Sequence, residues 1–228
     1  MQRLPKLNSN NPRETEAGKI KNLYRFIEEG ESETLDFKKE ITSAHKIAKS
    51  MVSFANHKGG RLLIGVRDDK VITGIKTEEE KYMLDLAANF YCKPAVEIKI
   101  KEYNVNGKTV LEALIPEGQN KPYYAKGDDE KWWVYVREKD QSVLASKVTV
   151  DVLKRHANGE QTKIEYSSKE KALLDYLKAH QRITLKEFCK LINVSRWRAT
   201  KILVNLVSIG VIREHSYEST PFYTVVGS

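Results

Sequence analysis

The strongest constraint on the fold is a Gly pair that separates a helix-like run from an apolar run, within SFANHKGGRLLIGVRDDKVITGI. Small and apolar residues recur with helical spacing from Ala44 to Ala55. Gly59 and Gly60 are typical of a helix end, where positive φ is needed. RLLIGVR has too little polarity for a half-exposed strand, so we predict a central strand covered on both faces.

The same stretch excludes the two common phosphate-binding loops. A Walker loop has Gly-x-x-x-x-Gly-Lys-Ser/Thr, whereas here Lys58 precedes the glycines and no Lys-Ser/Thr follows Gly65. A dinucleotide-binding loop runs from a strand through Gly-x-Gly-x-x-Gly into a helix, and the order here is helix, Gly-Gly, strand. The sequence therefore gives no support for ATP binding.

Further patterns around this joint indicate the fold class. ETLDFKKEI alternates, which is typical of a half-buried strand with a charged face. VITGI is predicted as an antiparallel partner of RLLIGVR, and Asn106-Gly107 is a strong hairpin signal. WWVYVR is a further strand candidate. With helices predicted near 19–30, 44–58 and 78–91, we expect an α+β fold with a mixed, largely antiparallel sheet and packed helices.

The last third of the chain changes pattern. SSKEKALLDYLKAH, TLKEFCKLINV and SRWRATKILVNLVSIGVI are amphipathic helix candidates, and Thr184 with Glu187 forms a capping box. Two short strands, in VIREHSYESTPFYTVV, follow. Three helices and then a hairpin is the order of a winged helix-turn-helix. The predicted divisions are an arm at 1–18, an α/β domain at 19–157, a linker at 158–166 and a winged helix-turn-helix at 167–228.

Charge and composition narrow the class of partner. The formal net charge is +8, and residues 161–228 hold 11 Lys/Arg against 6 Asp/Glu, which favours a polyanion. No apolar run approaches the ~20 residues that span a bilayer, and the start lacks the apolar stretch of a secretion signal. We expect a cytoplasmic protein with no membrane contact. Cys92 and Cys189 have no metal-type spacing and indicate no disulfide framework.

The third helix of the tail carries the candidate DNA contacts. In a helix-turn-helix the second helix of the pair enters the major groove with residues near its N-terminus. Those residues here are Arg196, Arg198, Thr200 and Lys201. Arg can bind guanine through two hydrogen bonds, and Thr and Lys can hold phosphates. Trp197 could touch a sugar or base, but we expect it to pack in the core.

Three acids form a separate candidate site. Glu31 and Asp36 bracket the start of the first strand, and Asp68 or Asp69 follows the central strand. If they converge, they could bind a divalent metal that orients water and neutralises a scissile phosphate. The simpler interpretation is that Asp stabilises a hairpin turn and that Glu31 is solvated.

ESETLDFKKE, IAKSMVSFANHKGGRLLIGVRDDKVITGI and KPYYAKG…WVYVREKDQSVLAS together resemble the Schlafen-type AlbA domain over about 30–155. Proteins of this family often carry a C-terminal winged helix and are described as transcriptional regulators or DNA-binding proteins. Animal Schlafen relatives cut RNA with three acids. By motif position, the resemblance implies that these acids correspond to Glu31, Asp36 and Asp68 here, with Asp69 as the alternative to Asp68. Lys38 matches the family's Phe-Lys. The family tends to have Arg-x-Gly-Ser where this chain has REKDQS, which leaves that loop's role open.

The lead hypothesis is a DNA-binding transcriptional regulator that requires no cofactor. Lys38, Lys46 and Lys49 are further nucleic-acid-binding candidates, RNA is a second candidate partner, and a palindromic site would favour a homodimer. The alternatives are a metal-dependent nuclease using Mg²⁺ or Mn²⁺ at the three acids, and a protein-interaction module. The animal nucleases have two such lobes, so nuclease activity here would need at least a dimer.

Overall fold

The computed structural model describes residues 16–159 and 166–227. Most of the predicted arm and linker therefore lies outside the described residues. The described helices are α1 (Glu16–Glu29), α2 (Ala44–Asn56), α3 (Glu79–Phe90), α4 (Lys147–Ala157), α5 (Ser168–His180), α6 (Leu185–Leu191) and α7 (Arg196–Ser208). None of them is long and apolar enough to cross a membrane.

The described strands complete an α+β fold, as predicted. They are β1 (Leu35–Lys38), β2 (Gly60–Ile64), β3 (Cys92–Lys93), β4 (Lys99–Val105), β5 (Lys108–Ile115), β6 (Tyr124–Lys126), β7 (Trp132–Glu138), β8 (Gln141–Leu144), β9 (Ile183–Thr184), β10 (Ile212–His215) and β11 (Phe222–Val225). They form three sheets, in the orders β1-β2-β5-β4, β3-β6-β7-β8 and β10-β11-β9. The β1–β2 pair is parallel and the other strand pairs are antiparallel.

The Gly pair ends α2 and begins the central strand β2, as predicted. Gly59 has φ of 76°, and a Cβ there would lie 2.7 Å from the carbonyl oxygen of Ile115. A Cβ on Gly60 would lie 2.3 Å from the Phe54 ring. β2 lies between β1 and β5, and its three last residues are fully buried. The backbone is therefore close-packed on both sides of this joint.

The segment after β2 corrects one prediction. VITGI pairs with RLLIGVR in the antiparallel sense, as predicted, but only through a single bridge between Val66 and Ile72 and not as a strand. The carbonyl oxygen of Gly65 accepts hydrogen bonds from the N–H groups of Thr73 (2.8 Å) and Gly74 (3.0 Å). These bonds close a tight loop, so the chain turns away before a ladder can form.

Helix α2 lies against the first two sheets and organises the N-terminal core. It contacts β2 and β5 of the first sheet and β6 and β7 of the second. Met51, Val52 and Phe54 of α2 are fully buried. Ser50 in the middle of α2, Asp36 of β1 and Arg137 near the end of β7 are thereby held close together.

Helix α4 joins the core of the C-terminal part, defined here as residues 166–227. Val148 and Val152 belong to the same buried cluster as Leu173, Leu203 and Tyr223. The order of elements in the C-terminal part is α5, β9, α6, α7, β10 and β11. The predicted domain limits stay predictions, but the buried face of α4 packs with elements from beyond residue 166.

Candidate functional site

The N-terminal turn of α7 is held in place by a cap and by buried residues. The Ser195 side chain accepts a hydrogen bond from the backbone N–H of Arg198 at 3.4 Å, which satisfies one of the unpaired donors of the first turn. Ala199 and Leu203 are fully buried. This packing fixes which side of α7 faces outward.

Three of the four predicted DNA contacts lie on that outer side. Arg196, Arg198 and Lys201 are exposed. Thr200, in contrast, is only 8% exposed, and its role as a phosphate contact stays a prediction. It directly follows the buried Ala199 in the helix, and it lines the groove between α4 and α7.

The prediction that Trp197 packs in the core is wrong, because its side chain is exposed. It is 62% exposed instead of packed in the core. On a helix, a residue two positions before Ala199 lies about 200° around the axis from it, and Ala199 marks the buried side. The Nζ atom of Lys201 lies 3.9 Å from the centre of the Trp197 ring. The outer side of α7 thus combines an aromatic surface with positive charge.

Helix α4 adds cations beside α7 that sequence analysis did not assign to this surface. A groove of about 500 Å³ runs between the two helices, and the basic residues that line it are Lys147, Lys154, Arg155, Arg196 and Lys201. Asp151 is also part of its lining. The sequence did contain a signal that α4 has a buried side, namely the apolar residues Val148 and Val152, spaced four apart. This spacing does not indicate which element packs against that side.

In the predicted α/β domain of residues 19–157, called the N-terminal domain below, Asp36 is the centre of a buried charged cluster. It is 4% exposed, so the predicted solvent-facing charged side of β1 is wrong at this position. Its Oδ2 atom lies 2.8 Å from Nζ of Lys38 and accepts a hydrogen bond from the Ser50 hydroxyl at 3.1 Å. These contacts compensate the cost of burying the carboxylate.

Arg137 completes the cluster from β7. Its Nη2 atom lies 3.6 Å from Oδ1 of Asp36 and donates to the carbonyl oxygen of Ser32 at 3.0 Å. Its Nη1 atom donates to the Ser142 hydroxyl at 3.1 Å. Sequence analysis missed Arg137 and Ser142 as site residues, although both belong to REKDQS. The side chains of Arg137 and Ser142 meet although this chain lacks the Gly of the Arg-x-Gly-Ser pattern.

Glu31 lies at the edge of this cluster. Its Oε1 atom accepts a hydrogen bond from the backbone N–H of Phe37 at 2.8 Å. Burial raises the pKa of Glu31, and the hydrogen bond and negative charge of Asp36 raise it further, while the Phe37 N–H and Lys38 act in the opposite direction. The simpler interpretation, a fully solvated Glu31, is therefore wrong.

The third predicted acid is not part of the cluster. Asp68 and Asp69 are exposed on the turn after β2, and Asp69 accepts a hydrogen bond from Arg67 at 2.6 Å. Among residues 16–159 and 166–227, no group of three or more His, Cys, Asp or Glu side chains could hold a metal ion. The acids therefore do not fit the Mg²⁺ or Mn²⁺ site of the nuclease alternative.

The three predicted lysines of the N-terminal domain lie near the contact of Asp36 with Ser50 of α2. Lys38 reaches Asp36, which also binds Ser50 of α2. Lys46 lies four residues before Ser50 and so shares one side of α2 with it, while Lys49 directly precedes Ser50. Lys46 is exposed, and Nζ of Lys49 lies 5.8 Å from the Tyr135 ring centre. Their role stays a prediction.

Comparison with known proteins gives a family match and two partial structural likenesses. The profile of the Schlafen, AlbA_2 family matches residues 31–146. The DIP2311 protein of Corynebacterium diphtheriae shares 16% identity over 67% of this chain and 35% of that chain, with a TM-score of 0.44. The N-terminal domain of an ATP-dependent DNA helicase RecG-related protein of Nitrosomonas europaea shares 23% identity over 46% of this chain and 80% of that chain, with a TM-score of 0.37.

These likenesses are limited in extent. No curated protein matches the chain. The chain spans about a third of the DIP2311 chain, and both TM-scores are below 0.5. The match over residues 31–146 covers the cluster of Glu31, Asp36, Lys38 and Arg137, while α5, α6 and α7 lie outside it.

Proposed function

The chain belongs to the Schlafen AlbA_2 family, and from this premise we propose that it is a nucleic-acid-binding protein that acts as a cytoplasmic, DNA-binding transcriptional regulator. In this proposal the C-terminal part is a winged helix-turn-helix that selects DNA sites. Its helix pair is α6 and α7, and its wing is the β10–β11 hairpin. The family domain binds nucleic acid or a partner.

One observation carries the proposal: the exposed side of α7 near its N-terminus is basic. Arg196, Arg198 and Lys201 are exposed there. Cations at a helix N-terminus oppose the helix dipole, at a cost of about 0.3–1 kcal/mol each. Phosphates would compensate this cost, and Arg side chains can also bind guanine through two hydrogen bonds.

The order of elements supports the same assignment. α5, α6 and α7 are followed by the β10–β11 hairpin, and β9, between α5 and α6, pairs with β11. Thr184 caps α6 by a capping box, as the sequence predicted. The turn of residues 192–195 between α6 and α7 has the length found in helix-turn-helix pairs.

A gel-shift assay on duplex DNA selected from a random pool tests the proposal. Arg196→Ala with Arg198→Ala should weaken binding by about tenfold or more and reduce the slope of log affinity against log salt by about 2. The matched control is Lys171→Ala with Lys178→Ala, which removes two exposed charges from α5. Equal affinity and slope for the α7 variant and the wild type would refute the DNA-reading role of α7.

The family domain has its own test. We propose that Lys38, Lys46 and Lys49 add phosphate contacts, with DNA or RNA as the ligand, and that a homodimer reads a palindromic site. Lys46→Ala with Lys49→Ala should weaken binding uniformly across sequences. Competition between labelled duplex DNA and RNA identifies the preferred ligand, and sedimentation with DNA gives the stoichiometry. A complex with one chain per site contradicts the dimer.

A further inference from the structure

A cavity of about 520 Å³ lies where α4, α6, α7 and the loop of the β10–β11 hairpin meet. Its volume falls within the range of about 300–1,000 Å³ found for small-molecule sites. We propose that this cavity binds a small organic anion, namely an acidic group on an apolar, preferably aromatic, body. The ligand would be an effector of the DNA-binding activity.

The floor of the cavity is apolar. Val148 of α4 and Tyr223 of β11 are almost fully buried, and Leu185 and Cys189 of α6 lie beside them. A hydrocarbon or aromatic ring placed on this floor would gain about 25 cal/mol for each Å² of apolar surface removed from water. The floor therefore selects the apolar body of the ligand.

The rim of the cavity is cationic. Lys147, Lys186 and Arg196 line it from three different helices, and all three are exposed at its opening. Among the described residues, no Asp or Glu belongs to its lining. Three cations without a lining carboxylate disfavour a metal ion or an ammonium ligand and match an anionic group.

Two carboxylates lie near the cavity without entering its lining. Asp151 lies 3.3 Å from Nζ of Lys147, and because Lys147 is exposed, another anion can compete for it. Glu214 lies behind Tyr223, where it accepts hydrogen bonds from the Tyr223 hydroxyl at 3.1 Å and from the Thr149 hydroxyl at 2.6 Å. Together with a hydrogen bond to the Ser146 side chain, these bonds occupy the carboxylate oxygens of Glu214 within the protein.

Two residues of α7 connect the cavity to the proposed DNA-reading surface. Arg196 lines the cavity and is also a candidate DNA contact, and Thr200, which is buried, lines it as well. An anion bound to Arg196 would compete with a DNA phosphate for the same guanidinium. The coupling rests on the proposed function, and it is reciprocal: the ligand weakens DNA binding as much as DNA weakens ligand binding.

Binding is measured with anilinonaphthalene sulfonate, a fluorescent aromatic anion, on the full chain. We expect one saturable site, and Lys147→Ala with Lys186→Ala should weaken it about tenfold. Lys171→Ala with Lys178→Ala, which removes the same charge from α5, should leave the affinity unchanged. Equal affinities for all three proteins would place the probe elsewhere and overturn the proposal.

A second measurement locates the probe on the wild-type protein. Cys189 lies in the cavity and is half-buried, whereas Cys92 is buried and burial raises its thiol pKa to about 12. N-ethylmaleimide should therefore modify Cys189 selectively, since the thiolate is the reactive form. Saturating probe should slow this reaction markedly. An unchanged rate would show that the cavity stays empty.

These two measurements contain no DNA, so they stand even if the proposed function fails. A gel-shift assay with the probe then tests the coupling. The probe should weaken DNA binding by the wild type and have less effect on the Lys147→Ala, Lys186→Ala variant. Probe binding at the cavity without any change in DNA affinity would overturn the effector role alone.

Discussion

Arg137 and Asp36 form a buried ion pair that joins the two sheets of the N-terminal domain, with 3.6 Å between Nη2 and Oδ1. Arg137 is 5% exposed and Asp36 is 4% exposed. The guanidinium also lies 4.7 Å from the centre of the Phe54 ring on α2. One side chain of β7 thus contacts the edge strand β1 and the central helix.

We expect Arg137→Leu to lower the free energy of unfolding by about 3 kcal/mol, since it leaves Asp36 with Lys38 as its remaining cation. Urea unfolding measures the loss. Arg67→Leu is the control, because the Arg67–Asp69 pair is half-exposed at both ends and contributes at most about 1 kcal/mol. A loss no larger than that of the control would show that the buried pair is not stabilising.

Glu31→Gln should stabilise the protein at neutral pH. The pKa of Glu31 is raised above its ordinary 4.5, mainly by burial. A carboxyl group with a raised pKa stabilises the fold while it is protonated, and this contribution is lost as the pH rises through the folded-state pKa. The variant resembles the protonated form, so its melting temperature should exceed that of the wild type at pH 7.

The gain should vanish below about pH 4, where the wild-type group is protonated in both states. Melting curves across this range give the difference between the two proteins. Glu28→Gln, which removes an exposed carboxylate from α1, controls for the change in net charge. A difference that does not depend on pH would contradict the assignment to Glu31.

Gly60→Ala should destabilise the protein by about 3 kcal/mol, because the added methyl group would overlap the Phe54 ring at the joint of α2 and β2. Gly107→Ala is the matched substitution. Its added Cβ meets no atom within 4 Å, and only the positive φ costs about 1 kcal/mol. Thermal unfolding of both variants separates overlap from backbone strain, and equal losses would contradict the close packing.

Trp197 should report DNA binding through its fluorescence. The chain has three Trp residues, and Trp197 is the most exposed of them, at 62% against 39% for Trp132 and 37% for Trp133. Trp197→Phe should remove the change in emission on adding DNA and alter stability by no more than about 0.5 kcal/mol. Trp133→Phe should retain the change, and loss of the signal in that variant instead would place the DNA elsewhere.

The structural features that depend on residues close together in the sequence could be predicted from the sequence alone. The Gly59–Gly60 helix end, the Asn106-Gly107 hairpin and the Thr184 capping box were all predicted correctly, because each depends on residues a few positions apart. The burial of Asp36 was not predicted, since it depends on Arg137, far away in the sequence. The opposite exposures of Trp197 and Thr200 depend on how α7 is rotated against its neighbours, which α4 helps to set.

The packing of α4 also decides which fragments of this chain can be handled separately. A fragment that starts at Ser167 would leave out Val148 and Val152, which belong to the C-terminal core, and would expose the apolar surface they cover to water. A fragment that starts at Ser146 keeps both residues and the Ser146 cap of α4. For expression, domain exchange between relatives or fusion to a reporter, a C-terminal fragment that keeps its buried cluster intact therefore starts at Ser146, about twenty residues before Ser167.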